Sequence, residues 1–219
     1  MKKWILMMND RSDKVFVDSN MIIFAADFKN ANVFEWINEL YHNVYIHKEV
    51  YNELLFPSVK KAVDELIASG EWIFFDPKSA SSLSPIEQEI YQQRLNDVKD
   101  AFHRMNLQRI KVGKRPKTVS NLGEIATIAA CMMINAGIIC SNDFDIRTVV
   151  VTEDYRISFE DTDELIIQDS AEDFCVYCIQ QNVGSRKLVR NFYKTIIVED
   201  SNQIQKLKQL NERLDTVEE

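Results

Sequence analysis

Val15-Phe16-Val17-Asp18-Ser19-Asn20 is the stretch from which the fold can be read. Three β-branched or aromatic residues stop abruptly at an acid, a hydroxyl and an amide, as a short buried strand does when it gives way to a capped helix. Met21 to Ala26 reads as the start of that helix. Val33 to Tyr41 reads as another, with apolar positions 33, 34, 37 and 40 on one stripe. The alternation then repeats. Val44-Tyr45-Ile46 is a second strand, followed by a helix from His47 to Leu55 that Pro57 interrupts. Ser58 to Ser69 is helical and Gly70 closes it. Trp72-Ile73-Phe74-Phe75 is a third strand, stopped by Asp76-Pro77.

Residues 77–84 are loop-like, and Ser84-Pro85-Ile86-Glu87 opens a new helix with a cap hydroxyl, a proline at the first position and a reciprocal glutamate. Tyr91, Leu95, Val98, Phe102 and Met105 continue it for about five turns. A basic stretch containing Gly113 and Pro116 reads as an exposed loop. Helix signals resume at Asn121 and run to Asn135, ended by Gly137. Ile138-Ile139-Cys140-Ser141 is a fourth strand and Leu165-Ile166-Ile167 a fifth, followed by a helix from Ala171 to Gln181. Short strands that are apolar on both faces and alternate with helices define an α/β chain with a parallel sheet covered on two sides. From Gly184 the pattern is helical only, so 184–219 reads as a C-terminal helical extension whose apolar stripes suit a second copy or a protein partner.

Composition narrows the chemistry. The 219 residues make up 25.5 kDa, enough to bury a core without disulfides or a structural metal. Five scattered glycines leave no room for a P-loop or a dinucleotide G-x-G-x-x-G. No apolar run reaches the ~20 residues of a membrane span. The four cysteines lack a disulfide framework, which favours a cytoplasmic setting. Cys175 and Cys178 lie in a helical run without further ligands, so they read as small buried residues rather than a zinc site. Net charge is −8, against bulk coating of nucleic acid, yet Arg104, Arg109, Lys111, Lys114, Arg115 and Lys117 cluster with no acid between 101 and 123.

Ligands in open parallel sheets bind beyond the carboxyl ends of the strands. Asp18 and Asp143 stand at two such ends, with Asp145 two residues on. Glu53 lies on the helix after the second strand, and Glu124 in the first turn of the helix before the fourth. Each has an ordinary explanation: Asp18 as a helix cap, Glu124 as the partner of Asn121 in a capping box, Glu53 as a solvated charge beside Glu49, and Asp143 and Asp145 as turn residues. Brought together, they would repel by about 4 kcal/mol per pair at 4 Å and an effective dielectric of 20. Such a cluster calls for protons or a hard cation, and oxygen-only ligands suit Mg²⁺ or Mn²⁺.

In order and position these stretches resemble the PIN-domain family of nucleases. Val15 to Asn20 is similar to the family's opening strand and first aspartate, and Tyr45 to Leu54 to its second strand and the helix whose acid falls on Glu53. Leu122-Gly123-Glu124-Ile125-Ala126 resembles its Gly-Glu helix, and Ile138 to Asp143 the strand bearing the last aspartate. The resemblance covers about 15–182 and implies a three-layer sandwich around a parallel sheet of four to five strands. It places a PIN-like domain at 1–183, with an insertion at about 76–119, ahead of the 184–219 extension.

It also implies hydrolysis of RNA phosphodiesters with one or two Mg²⁺ or Mn²⁺ ions, which activate a water and offset phosphoryl charge. Asp18, Glu124 and Asp143 would hold the ions, Glu53 would ligate directly or through water, and Asp145 would join or support them. Ser19, Asn20 and Ser141 would orient the carboxylates. Arg109, Lys111, Lys114, Arg115 and Lys117 would contact RNA phosphates, unless that stretch is only a solvated charge run. A non-cleaving PIN-like binding module, a toxin held by an antitoxin, or another metal-dependent phosphohydrolase are the alternatives.

Overall fold

The computed structural model describes residues 14–114, 121–158 and 162–217. Strand β1 (Lys14–Val17) leads into α1 (Ser19–Asp27) and α2 (Val33–Leu40), then β2 (Asn43–His47), α3 (Lys48–Glu53), α4 (Pro57–Ser69) and β3 (Trp72–Phe75). Gly70, at φ 80°, closes α4 in the left-handed cap that a side chain would strain. The long α5 (Pro85–Lys111) follows, opened by the expected capping box of Ser84 and Glu87. Next come α6 (Leu122–Ile134), β4 (Ile138–Cys140), α7 (Phe144–Glu153), β5 (Arg156–Ser158), β6 (Asp163–Leu165), β7 (Ile167–Asp169), α8 (Ala171–Gln180), α9 (Arg186–Ile196) and α10 (Gln203–Asp215).

The fold is α/β with one five-stranded sheet, ordered β3-β2-β1-β4-β7 and parallel throughout. Alternate residues of β1 divide the core. Val15 and Val17 face one layer, built from α1 to α4 and α8 to α10, while Phe16 faces the other, built from α5, α6 and α7. Burial of such side chains contributes about 1.5–3 kcal/mol each. From the apolar stripes of α9 and α10, Val189, Phe192, Tyr193, Leu210 and Leu214 pack on the first of these cores, while Ile204 stays exposed. The C-terminal helices therefore pack behind the sheet. Among the described residues, no helix is long and apolar enough to cross a membrane.

Four local readings change. The helix begun at Pro85 has 27 residues and runs through Arg109 and Lys111, so these are helical rather than loop residues. No breaker precedes Gly113 (φ 75°), and the two cations suit the negative end of the helix dipole. Helix α6 ends at Asn135, itself left-handed at φ 52°, before Gly137 is reached. Leu165 to Ile167 is not one strand. Leu165 pairs with Arg156 in the antiparallel β5–β6 hairpin, and Ile167 starts β7 opposite Ile138. Helix α7 was not expected, because its run Thr148-Val149-Val150-Val151-Thr152 has strand propensity that packing of Ile146, Val149 and Val150 overrides.

Candidate active site

The order of the sheet decides where a site can form. From β1 the chain moves outward to β2 and β3, then returns to place β4 and β7 on the other side, so the switch point lies between β1 and β4. Register sets Val17 opposite Cys140 and Cys140 opposite Asp169, so three strands end level. Asp18 and Ser141 are the next residues of two of these strands, and Asp18 N donates to Cys140 O at 3.0 Å.

Asp18 is 3% exposed and its carboxylate is held by three donors. Ser19 N reaches Oδ1 at 2.8 Å, while Asn20 Nδ2 and Ser141 Oγ each reach Oδ2 at 2.6 Å. Its capping role in α1 and its place in the cluster coexist. Asn20 Oδ1 accepts from Asn142 N at 3.1 Å, fastening β1 to the turn after β4. Asp143 caps α7 by accepting from Asp145 N at 3.0 Å, and its own N donates to Ser141 Oγ at 3.1 Å. Gln168 Nε2 secures the same turn through the carbonyls of Ser141 (2.7 Å) and Asp143 (2.9 Å). Gln168 was not singled out in the sequence. Only its position one residue before the end of β7 marks it.

Glu53 ends α3 and is not a solvated charge. Ser19 Oγ donates to its Oε2 at 2.7 Å, and Gly123 N to its Oε1 at 3.2 Å. A Cβ at position 123 would lie 2.6 Å from Glu53 Oε1, so the Leu122-Gly123-Glu124 stretch needs its glycine to let α6 approach this carboxylate. Gly123→Ala is expected to displace Glu53 and lower any metal-dependent activity by about 10–100-fold, the scale of a lost supporting contact. Unchanged kinetics with a normal melting curve would count against a role for Glu53. Glu124 sits in the first turn of α6, whose Asn121 makes no side-chain cap bond, so the capping-box explanation does not hold.

Burial, opposed by hydrogen bonds and reinforced by Glu53 and Asp143, pushes the Asp18 carboxyl up to about 6. Burial, with Asp18, Asp143 and Glu53 as like charges, pushes Glu124 up to about 7. Asp18 thus lies in the field of Glu53 and Asp143, and Glu124 in that of all three. Asp145, beside Asp143, is paired with a cation. It is 5% exposed and takes both guanidinium nitrogens of Arg109, Nη1 to Oδ2 at 3.0 Å and Nη2 to Oδ1. Arg109 is therefore committed to Asp145 and anchors the end of α5 to the α7 turn. Lys111 and Lys114 are exposed, and Arg115 and Lys117 lie outside the described residues.

Among the described residues, no group of three or more His, Cys, Asp or Glu is drawn together so that it would hold a metal ion as it stands. Asp18, Glu53 and Asp143 are instead each held by their own donors. The donor set still fits a hard divalent cation in kind, being oxygen only, mutually repelling and positioned through Asp18, Asp143 and Glu124. Cys175 and Cys178 are buried free thiols in α8. His47 is a buried cap of α3, its Nδ1 accepting from Glu49 N and its Nε2 bonded to Tyr91 Oη. No family model matches the chain, and no curated protein is significantly similar to it.

Proposed function

We propose that this chain is a PIN-like ribonuclease that hydrolyses phosphodiester bonds with Mg²⁺ or Mn²⁺. The observation that carries the reading is that Asp18 and Asp143 follow strands at the switch point of a parallel sheet, Asp18 in the field of Glu53 and Asp143, and Glu124 in that of all three. Asp18, Glu124 and Asp143 would hold the ion, with Glu53 reached from its tether between Ser19 and Gly123. When bound, the ion supplies an activated water and offsets charge on the phosphoryl oxygens. Ser141, Asn20 and the Ser19 amide hold Asp18 in one orientation, and the Asp145 amide does the same for Asp143. Asp145, with its carboxylate occupied by Arg109, supports the site from behind.

One observation favours a second reading, a PIN-like fold that binds without cutting: among the described residues, the carboxylates do not form a group that would hold a metal ion as it stands. A single assay separates the two. Labelled single-stranded and hairpin RNAs and DNAs are incubated with Mn²⁺, with Mg²⁺ and with chelator. Cleavage of RNA that chelator stops is the expected result. Retention of RNA on a filter without cleavage in either metal overturns the nuclease reading.

A further inference from the structure

The wall beside Asp143 carries groups that the carboxylate chemistry does not use. Phe144, the first residue of α7, is 51% exposed, although Ile146, Val149 and Val150 of the same helix are buried. Two cavities share Phe144 and Asn142 as a wall. The first, about 390 Å³, is completed by Asn20, Phe24, Asp143 and Asp145. The second, about 260 Å³, extends toward Tyr193 and Ile197 at the end of α9 and Lys206 and Arg213 of α10. Asn20 spends its amide on Asp18, Ser141 and the Asn142 backbone. The side-chain amide of Asn142 makes no hydrogen bond with any described residue.

We propose that Phe144 is the stacking platform for an unpaired base next to the scissile phosphate, with the Asn142 amide at the edge of that base. The site then takes single-stranded RNA. An open aromatic face offers stacking to any base, and a free amide offers both a donor and an acceptor to a base edge. A base within a duplex has both faces covered by its neighbours and cannot lie on Phe144. The inference rests on the cleavage reading for the position of the phosphate. Base stacking is tested separately from cleavage.

The Phe144→Trp protein is titrated in Ca²⁺ with a single-stranded oligoribonucleotide and with a matched abasic ribose-phosphate oligomer. Wild type serves as control for the native tryptophans. In parallel, wild type and Phe144→Ala are assayed in Mn²⁺ on RNAs carrying one abasic position moved along the chain. Quenching by the base-bearing oligomer alone is expected. So is an abasic penalty of about tenfold in wild-type kcat/KM next to the cut, absent in Phe144→Ala. Quenching without cleavage in any metal leaves the platform standing and removes the nuclease reading. Cleavage with equal or no quenching by the two oligomers, or with the abasic penalty intact in Phe144→Ala, overturns the platform alone.

Discussion

In the Asp143→Asn protein, metal-dependent RNA cleavage is expected to fall by roughly a thousandfold, the scale on which one lost group at a charge-stabilising centre is felt. The fold should survive, because asparagine caps a helix as well as aspartate does, and the Asp145 amide keeps its acceptor. Asp18→Asn should be equally inactive but a poorer probe. Its carboxylate meets donors at both oxygens, from Ser19 N, Asn20 Nδ2 and Ser141 Oγ, so an amide nitrogen there faces a donor whichever way it turns. Circular dichroism together with cleavage rates checks both variants. Full activity in Asp143→Asn would remove this residue from the chemistry and the PIN-like assignment with it.

The second large effect is thermodynamic and needs no substrate. A carboxyl with a folded pKa above its unfolded value binds more protons in the folded chain, so stability is lost as pH rises between the two values. Glu124, ordinarily near 4.5, is raised to about 7. Glu124→Gln removes that penalty. In chelator, the variant should match wild type near pH 4, below the unfolded value, and exceed it by about 1–2 kcal/mol at pH 8, after allowance for solvent screening of this half-buried group. The difference between the two proteins is the quantity to read, because His47, held down to about 4 chiefly by its burial, acts in the opposite sense as pH falls below 6.5. Mn²⁺ at a hundred times its Kd should stabilise wild type by about 2.7 kcal/mol at pH 8, with weaker binding near pH 5.5, where protons compete for the carboxylates. Urea titrations at the three pH values, with and without metal, supply the test. A Glu124→Gln protein less stable than wild type at pH 8 contradicts the account.

The sequence was most legible where chemistry is local. The strand through Val17 is followed at once by the cap residue Asp18, the Ser84–Glu87 box opens its helix, and Gly70 stops another. Helix α7 was hidden because Thr148 to Thr152 is β-branched, and only burial of Ile146, Val149 and Val150 against α5 and α6 makes it helical. Asp145 and Arg109 were each legible as candidates, but for other partners. Their pairing joins positions 36 residues apart and depends on how far α5 runs before Gly113. The approach of Gly123 to Glu53, across 70 residues, likewise lies in the packing of two helices and not in either motif.

The bond between Ser141 and Asp18 links residues 123 positions apart, and β2 and β3, which are made between them, lie on the other side of β1 from β4. A chain still emerging from the ribosome can complete β1, β2 and β3 while possessing only half of its carboxylate centre. Pairing of this kind is slow and late, since the closure of so long a loop must precede it. Phe192 and Leu214, near the end of the described chain, then pack behind the same sheet. Under the proposed nuclease reading, this order of assembly would keep the unfinished chain from cutting RNA. Until Glu124 and Asp143 have been made, the nascent chain would hold only Asp18 and Glu53 of the four acids.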